Sequence, residues 1–479
     1  MTGKKIKRKL NGDAKKPNAK RKSALFPIEI NPQYLSQEYE KTFLKGFGNN
    51  GKAHPFPHWQ LRNFVDNSEN VVEKIEEELQ NFESWTRKEN DLYSLHQTDD
   101  LKSLNEADNP AICSFRTFLN TKVKEWLQKT SHVELIEQVD CNGSLYAEND
   151  TLLPHNDLID TRRFAFVYYL TEANWDSKTN GGDLLLFNHN ENLLPVSVAA
   201  RFAPLRNSLM LFEVSETSWH RVAEMISDEP RLSINGWFHS TRRIEVEQPE
   251  VEILPRFVPT FRKRLGKLIS AEYLKQKRQT EVSQIFSDTS ELSLKNFLVD
   301  EVHQNVYEEL SANPDVFNLI GPLNKRMISR LDKNKASSLE VTNAVRKCLK
   351  SKSFADFVFK LTEVNVADAQ ASVTVSRVEH GSYWVLGDED AEQTFHDGYS
   401  LDFHIFVQKE AWPEKAGGDV IYIAEGDAEE LLCVTASPNM ASVVFCEQNV
   451  LSFLKYANAK AADPFFLFTV SYYNVKVVD

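Results

Sequence analysis

One short pattern occurs twice in this 479-residue chain, and it constrains the fold more than any other feature. Glu172-Ala173-Asn174-Trp175 leads to Gly181-Gly182-Asp183-Leu184, and Glu410-Ala411-Trp412 leads to Gly417-Gly418-Asp419-Val420. Each copy then passes an asparagine and enters an apolar stretch, Leu209-Met210-Leu211-Phe212 in one and Ser442-Val443-Val444-Phe445 in the other. A chain of this length exceeds what one core usually serves. Repeated strand patterns of this kind predict two copies of one double-sheet jelly-roll barrel. The expected fold class is therefore α+β and mainly β, with two tandem double-stranded β-helix (jelly-roll) barrels braced by helices. The expected domains are a disordered basic tail over residues 1–27, a first barrel over 28–242, and a degenerate second barrel with linking helices over 243–479. Helical spacing predicts bracing helices around 71–82 and 115–127. It recurs at Leu265, Leu268, Ile269 and Tyr273, from Leu294 to Val302, and from Leu319 to Leu331.

The chemistry-bearing pattern is His155-x-Asp157, then His220, then Arg231-x-Ser233 eleven residues later. Two imidazoles and a carboxylate on one face of a metal leave the opposite positions open, as non-haem iron(II) oxygenases require. The doublet alone is weak, because among 12 histidines about one or two such pairs are expected by chance. Decoys stand at His132 with Glu134 and at His189 with Glu191, the latter in a turn-like setting. His155-Asn156-Asp157 instead precedes the strand-like run Phe164 to Leu170, where side chains two apart share a face. Asn156 is then expected to point outward. Downstream, Arg231, Ser233 and Asn235 share one strand face, with Leu232 and Ile234 on the other. Iron(II) suits these ligands, and a 2-oxo acid can chelate it. Arg231 offers a planar fork for the distal carboxylate, with the hydroxyls of Ser233 and Tyr146 beside it. Taken singly, the ordinary readings are a surface ion pair for Arg231, a solvated hydroxyl for Ser233 and a core ring for Tyr146.

Beyond the basic tail the sequence resembles the 2-oxoglutarate and iron(II)-dependent prolyl 3-hydroxylases that act on a small-subunit ribosomal protein. The motifs are Pro55-Phe56-Pro57-His58, Asn90-Asp91-Leu92-Tyr93, Gln97-Thr98-Asp99-Asp100-Leu101, and Arg163-Phe164-Ala165-Phe166 with Tyr169-Leu170. Further on come Trp175-Asp176, Gly181-Gly182, and Arg231-Leu232-Ser233 running into Gly236-Trp237-Phe238-His239. The resemblance implies His155, Asp157 and His220 as iron ligands, with Arg231, Ser233 and Tyr146 at 2-oxoglutarate and Tyr169 lining the same pocket. It also implies dioxygen as co-substrate, ascorbate as a supporting reductant, C3 of a proline as the target, and a role in translation accuracy or termination. The second barrel is expected to lack this chemistry. No histidine follows His404, Phe465 or Phe466 falls where an arginine should, and His396-Asp397 is adjacent and not spaced by one.

Charge is divided unevenly. Residues 1–22 carry ten Lys or Arg and one Asp, so the overall −13 leaves −22 for the remainder. Clusters such as Lys4-Lys5-Ile6-Lys7-Arg8-Lys9 read as a nuclear import signal or loose nucleic-acid contact. The acidic body disfavours nucleic acid as substrate and favours a basic protein. Five cysteines without CxxC spacing indicate neither a disulfide framework nor a zinc site. No signal peptide or membrane span is expected, which points to nucleus and cytoplasm. Alternatives remain open at this level: an oxygenase acting on another protein residue, a demethylase, a non-catalytic binding module that retains the iron site, or a structural jelly roll.

Overall fold

The computed structural model describes residues 25–47, 54–242, 254–386, 398–427 and 429–477. The basic clusters, the expected boundary at 243 and His396-Asp397 lie outside these. The chain divides into two units, Met1–Gln248 and Pro249–Asp479.

Unit one is built on an eleven-stranded, antiparallel sheet. Its path runs His58–Arg62, Ser208–Glu213, Arg162–Tyr169, Arg231–His239, Val139–Tyr146, Tyr93–Gln97, Thr151–His155, His220–Val222, Leu184–His189, Pro195–Phe202. Unit two has twelve strands, on the path Glu291–Lys295, Met440–Cys446, Tyr399–Val407, Phe465–Val477, Gln370–Val378, Arg326–Leu331, Tyr383–Trp384, Val450–Leu454, Val420–Ala424, Glu430–Val434. Ranked by position in the chain, the strands of the two paths follow one another in the same order. Both units are thus mainly β and share one winding.

The central strands of unit one bury both faces, and the period of two explains how. Along Arg162–Tyr169, Phe164, Phe166 and Tyr168 enter one core cluster, whereas Ala165 and Tyr169 enter another. Leu209 and Leu211 likewise join the first, Met210 and Phe212 the second. The first cluster is closed by helices. Val71–Gln80 contributes Val71, Val72, Ile75 and Leu79, the spacing of one amphipathic face. Pro110 opens a run of Pro110–Phe118, a π turn at Leu119–Val123, and Lys124–Ser131, which contributes Ile112, Phe115, Leu119, Val123 and Leu127. The second cluster surrounds the interior of the sheet.

The repeated sequence pattern is a structural device. Gly181 and Gly182 both have φ +73°, and Gly417 and Gly418 have φ +68° and +74°. A Cβ on Gly181 would lie 2.1 Å from the Glu224 carbonyl oxygen, and one on Gly417 2.0 Å from that of Tyr456. The tryptophan before each pair donates its indole N–H to the first glycine's carbonyl, Trp175 to Gly181 at 3.1 Å and Trp412 to Gly417 at 2.6 Å. The asparagine of each copy repeats as well. Asn207 and Asn439 hold φ +54° and +50°. Their amides bond both backbone groups of Val65 and of Leu298 respectively.

Unit two departs from the helical readings in three places. Leu319–Leu331 forms strands Phe317–Ile320 and Arg326–Leu331, because Gly321-Pro322 intervenes and proline neither donates a helical hydrogen bond nor lets its predecessor adopt helical angles. Leu319 is 60% exposed, so its spacing marked no core face. Leu265 to Tyr273 reaches the core through turns and the 3-10 segment Ala271–Leu274. Leu294 lies on a strand, and the helix there is Asp300–Ala312.

Candidate active site

Thr151–His155 and His220–Val222 are antiparallel neighbours, with His155 directly opposite His220 and ring centroids 4.2 Å apart. Each ring places Nδ1 2.8 Å from the carbonyl two residues earlier, Leu153 for one and Ser218 for the other. Donation from Nδ1–H to those carbonyls leaves both Nε2 lone pairs free to face a shared point. Asp157 arrives differently from the sequence expectation. The strand ends at His155, and Asp157 sits beyond it at φ +60°. Asn156 does not point outward: it lines the cavity, its Oδ1 accepts from Leu158 N at 3.2 Å, and its carbonyl accepts from Ser218 Oγ at 2.8 Å. That Asx turn, not strand alternation, swings the carboxylate back.

Asp157 Oδ1 lies 3.6 Å from His155 Nε2, and Oδ2 lies 3.4 Å from His220 Nε2. One donor atom from each of the three fits within 4.8 Å of the others. Donors about 2.0–2.2 Å from a first-row metal have separations of this order, so the donor set fits one ion. Burial and neighbouring His220 push the His155 imidazole down to about 4, so it stays neutral. Burial alone would raise the Asp157 carboxyl. The neighbouring His220, His155 and Arg162 outweigh it and hold the group well below the usual carboxylate range. Neutral imidazole and ionised carboxylate are the forms that bind metal.

All three open into a cavity of about 360 Å³. Its far wall is the polar face of Arg231–His239: Arg231, Ser233, Asn235 and Trp237 line it, while Leu232 and Ile234 join the helix-side core. Arg231 is 1% exposed, which excludes a surface ion pair. Its Nε donates to the Gly182 carbonyl at 2.8 Å and its Nη2 to the Tyr169 hydroxyl at 3.4 Å. Its guanidinium carbon lies 5.0 Å from the centre of the Tyr146 ring and 4.9 Å from that of Tyr169. Tyr146 lines the cavity, whereas Tyr169 is not among the lining residues; it touches the pocket through Arg231. Burial pushes both hydroxyls up, so they remain proton-bearing. Ser233 Oγ, Asn235 Oδ1 and Trp237 Nε1 are buried without a hydrogen-bond partner. The two donors among them, Ser233 Oγ and Trp237 Nε1, beside a buried guanidinium suit a bound polyanionic oxo acid. Iron, when bound, supplies the activation of dioxygen. The residues present fit such a group: hydrogen bonds to backbone carbonyls hold both imidazoles in the metal-binding tautomer, and Arg231 presents a buried guanidinium to the same cavity.

Sequence reasoning missed Arg162. Its guanidinium carbon lies 3.5 Å from the Trp237 ring centre, and Nη1 lies 3.7 Å from Asp157 Oδ1. As a charge at the start of an apolar strand it gave no signal of a place in the cavity wall. The decoys stand elsewhere: His132 caps a helix at φ +57° near Glu40, and His189 ends a strand with Nδ1 on the Asn190 carbonyl. In unit two, registers place Ser452 opposite Tyr422 as His220 is opposite Leu186, each two residues on from the partner following the glycine pair. Phe465 faces Val378 as Arg231 faces Tyr146. Those two positions of unit two therefore carry neither the second imidazole nor the guanidinium.

Residues 141–239 match the 2OG-Fe(II) oxygenase superfamily, and residues 261–479 match the family described as oxoglutarate and iron-dependent oxygenase degradation C-term. Over 445 residues the chain is 31% identical to prolyl 3-hydroxylase OGFOD1 of Xenopus laevis, covering 85% of this chain and 84% of that protein. The chain belongs to the prolyl 3-hydroxylase family. This family member is also 28% identical to the mouse OGFOD1 enzyme over 479 residues, covering 85% of this chain and 86% of that one. Prolyl 3-hydroxylase sudestada1 of Drosophila melanogaster is 28% identical over 445 residues, with 85% and 80% covered. As a 2-oxoglutarate and iron(II)-dependent oxygenase, the family member takes Fe(II), 2-oxoglutarate and dioxygen.

Proposed function

We propose that this protein hydroxylates C3 of a prolyl residue in a small-subunit ribosomal protein, with His155, Asp157 and His220 as iron ligands and Arg231, Ser233 and Tyr146 holding 2-oxoglutarate. The observation that carries the reading is one cavity walled on one side by the two imidazoles and carboxylate and on another by a buried arginine with an unpaired serine hydroxyl beside it. The substrate follows from the kinship to prolyl 3-hydroxylases and from the acidic body, whose field favours encounter with a basic protein. Asn235, Trp237 and Arg162 form part of the remaining wall, where a substrate peptide would lie. Each unit is a double-stranded β-helix, and the second is the degenerate copy. Hydroxylation at the decoding centre would act on translation accuracy or termination, with ascorbate keeping iron reduced. The basic clusters of residues 1–22 support a nuclear and cytoplasmic location.

The deciding experiment incubates the protein with Fe(II), 2-oxoglutarate, ascorbate and purified small-subunit ribosomal proteins, followed by peptide mass spectrometry. One proline gaining one oxygen, dependent on 2-oxoglutarate, is expected. Oxygen on another residue type, or loss of a methyl group, would overturn the prolyl assignment.

A further inference from the structure

Strand register matches Gln408 of unit two to Thr171 of unit one. Phe406 lies opposite Leu467 as Tyr169 lies opposite Ser233, on strands that begin at the equivalent residues Phe465 and Arg231. Gln408 follows Phe406 at the same interval as Thr171 follows Tyr169, and each stands equally far before the tryptophan of the repeated pattern. Both side chains are buried, at 3% and 1% exposure. Their chemistry differs. The Thr171 hydroxyl donates to the Pro204 carbonyl, so its burial leaves that group satisfied. Gln408 has no such outlet: Nε2 and Oε1 are both buried without a hydrogen-bond partner among the described residues. A donor and an acceptor stranded together on one side chain destabilise the free fold and call for a partner that carries both.

Gln408 lines a cleft of about 100 Å³ with Tyr307, Trp412, Pro413 and Pro464 as walls. Tyr307 comes from the helix Asp300–Ala312 and packs on Phe466, ring centroids 6.0 Å apart, while Trp412 packs edge to face on Phe465 at 4.7 Å. Both rings are therefore braced from behind. The Trp412 indole N–H is committed to the Gly417 carbonyl, so it offers the cleft ring surface alone. The charged residues of the lining, Lys409, Glu410 and Asp463, are exposed and of both signs, which selects no ion. Aromatic and prolyl walls around an unpaired carboxamide suit a neutral occupant with an apolar tip beside one N–H and one C=O. One residue of an extended peptide has that form: main-chain hydrogen bonds supply affinity and a pocket for its side chain supplies selectivity. The volume falls below the roughly 300–1,000 Å³ usual for drug-sized ligands, in keeping with a single side chain. Because the amide has no hydrogen bond to give up, turning it toward an incoming main chain costs only a change of rotamer. We infer that this cleft is a docking pocket for an extended segment of a protein partner, with Gln408 pairing to the N–H and C=O of one residue whose apolar side chain enters between the rings. The inference stands apart from the oxygenase site and does not rest on its assignment.

Panning a displayed library of short random peptides on the full-length protein, with counter-selection on Gln408→Met, tests this. Methionine keeps the length of the side chain and removes the amide, so the variant should melt no lower than wild type. Enriched peptides should bind wild type at least tenfold more tightly than Gln408→Met by fluorescence polarisation, and equally well in Arg231→Ala, where the oxygenase cavity has lost its cation. Replacing one peptide N–H of an enriched sequence by an ester oxygen should weaken binding to wild type severalfold and leave the residual binding to Gln408→Met unchanged, a coupling that a merely structural role would not produce. Four outcomes overturn the inference: no sequence that depends on Gln408, a lowered melting temperature in Gln408→Met, indifference to the ester at every position, or binding lost in Arg231→Ala.

Discussion

Asp157 occupies a left-handed backbone conformation that ordinary side chains avoid and Asp tolerates, and metal geometry depends on it. Asp157→Ala or His155→Ala should abolish iron binding and substrate-dependent succinate formation while leaving the circular dichroism spectrum unchanged, because neither side chain supports the core. Turnover surviving in either variant would refute the ligand assignment. Arg231→Ala removes a charge-assisted pairing of about 1.5–3 kcal/mol, so 2-oxoglutarate should bind roughly tenfold to a hundredfold more weakly, with iron affinity nearly constant. Gly182→Ala should act on the same anchor, since its Cβ would lie 2.9 Å from Arg231 Cδ and 2.6 Å from Met225 Sδ. A 2-oxoglutarate titration identical to wild type would contradict that coupling. The residues of this site were legible because metal chemistry demands particular side chains at particular spacings. The Asx turn at Asn156 and the stacking of Arg162 on Trp237 were not, since both depend on contacts that no local pattern encodes.

Strands carried the clearest message at the level of elements. Arg231–His239 reads directly as a polar face and an apolar face because one side meets a cavity and the other a helical layer. The echoed tryptophan and glycine pairs were legible as a repeat, although their purpose, a left-handed turn pressed against a neighbouring carbonyl, emerged only in three dimensions. Helical spacing misled where a Gly-Pro step cut the pattern at Gly321-Pro322, and where turns delivered Ile269 and Tyr273 to the core without a helix. Gly236 tests the element itself: a Cβ there would meet the Asp140 carbonyl oxygen at 1.8 Å. Overpacking ordinarily costs about 1–3 kcal/mol, and a backbone obstacle cannot rotate away. Gly236→Ala should therefore lower the melting temperature of unit one markedly or prevent soluble expression. Wild-type thermal stability would show that the two central strands tolerate separation.

For the whole chain, charge and copy number make separate claims. Deleting residues 1–22 removes a net +9, and turnover on a soluble peptide should persist while nuclear accumulation falls, as imaging of a tagged protein would show. Retained nuclear accumulation would remove the tail as an import signal. Residues 243–479 expressed alone should bind neither iron(II) nor 2-oxoglutarate by calorimetry, because Ser452 and Phe465 stand where His220 and Arg231 do in the first copy. Among the described residues no helix is long and apolar enough to cross a membrane, and all five cysteines are free. A polypeptide that winds the same strand order twice also faces a hazard during synthesis: a strand of one copy can invade the unfinished sheet of the other. The central strands guard against this by divergence. Arg-Leu-Ser-Ile opens one and Phe-Phe-Leu-Phe the other, so an exchanged strand would strand a guanidinium where Trp412 and Phe465 pack edge to face, and each copy rejects its sibling's strand.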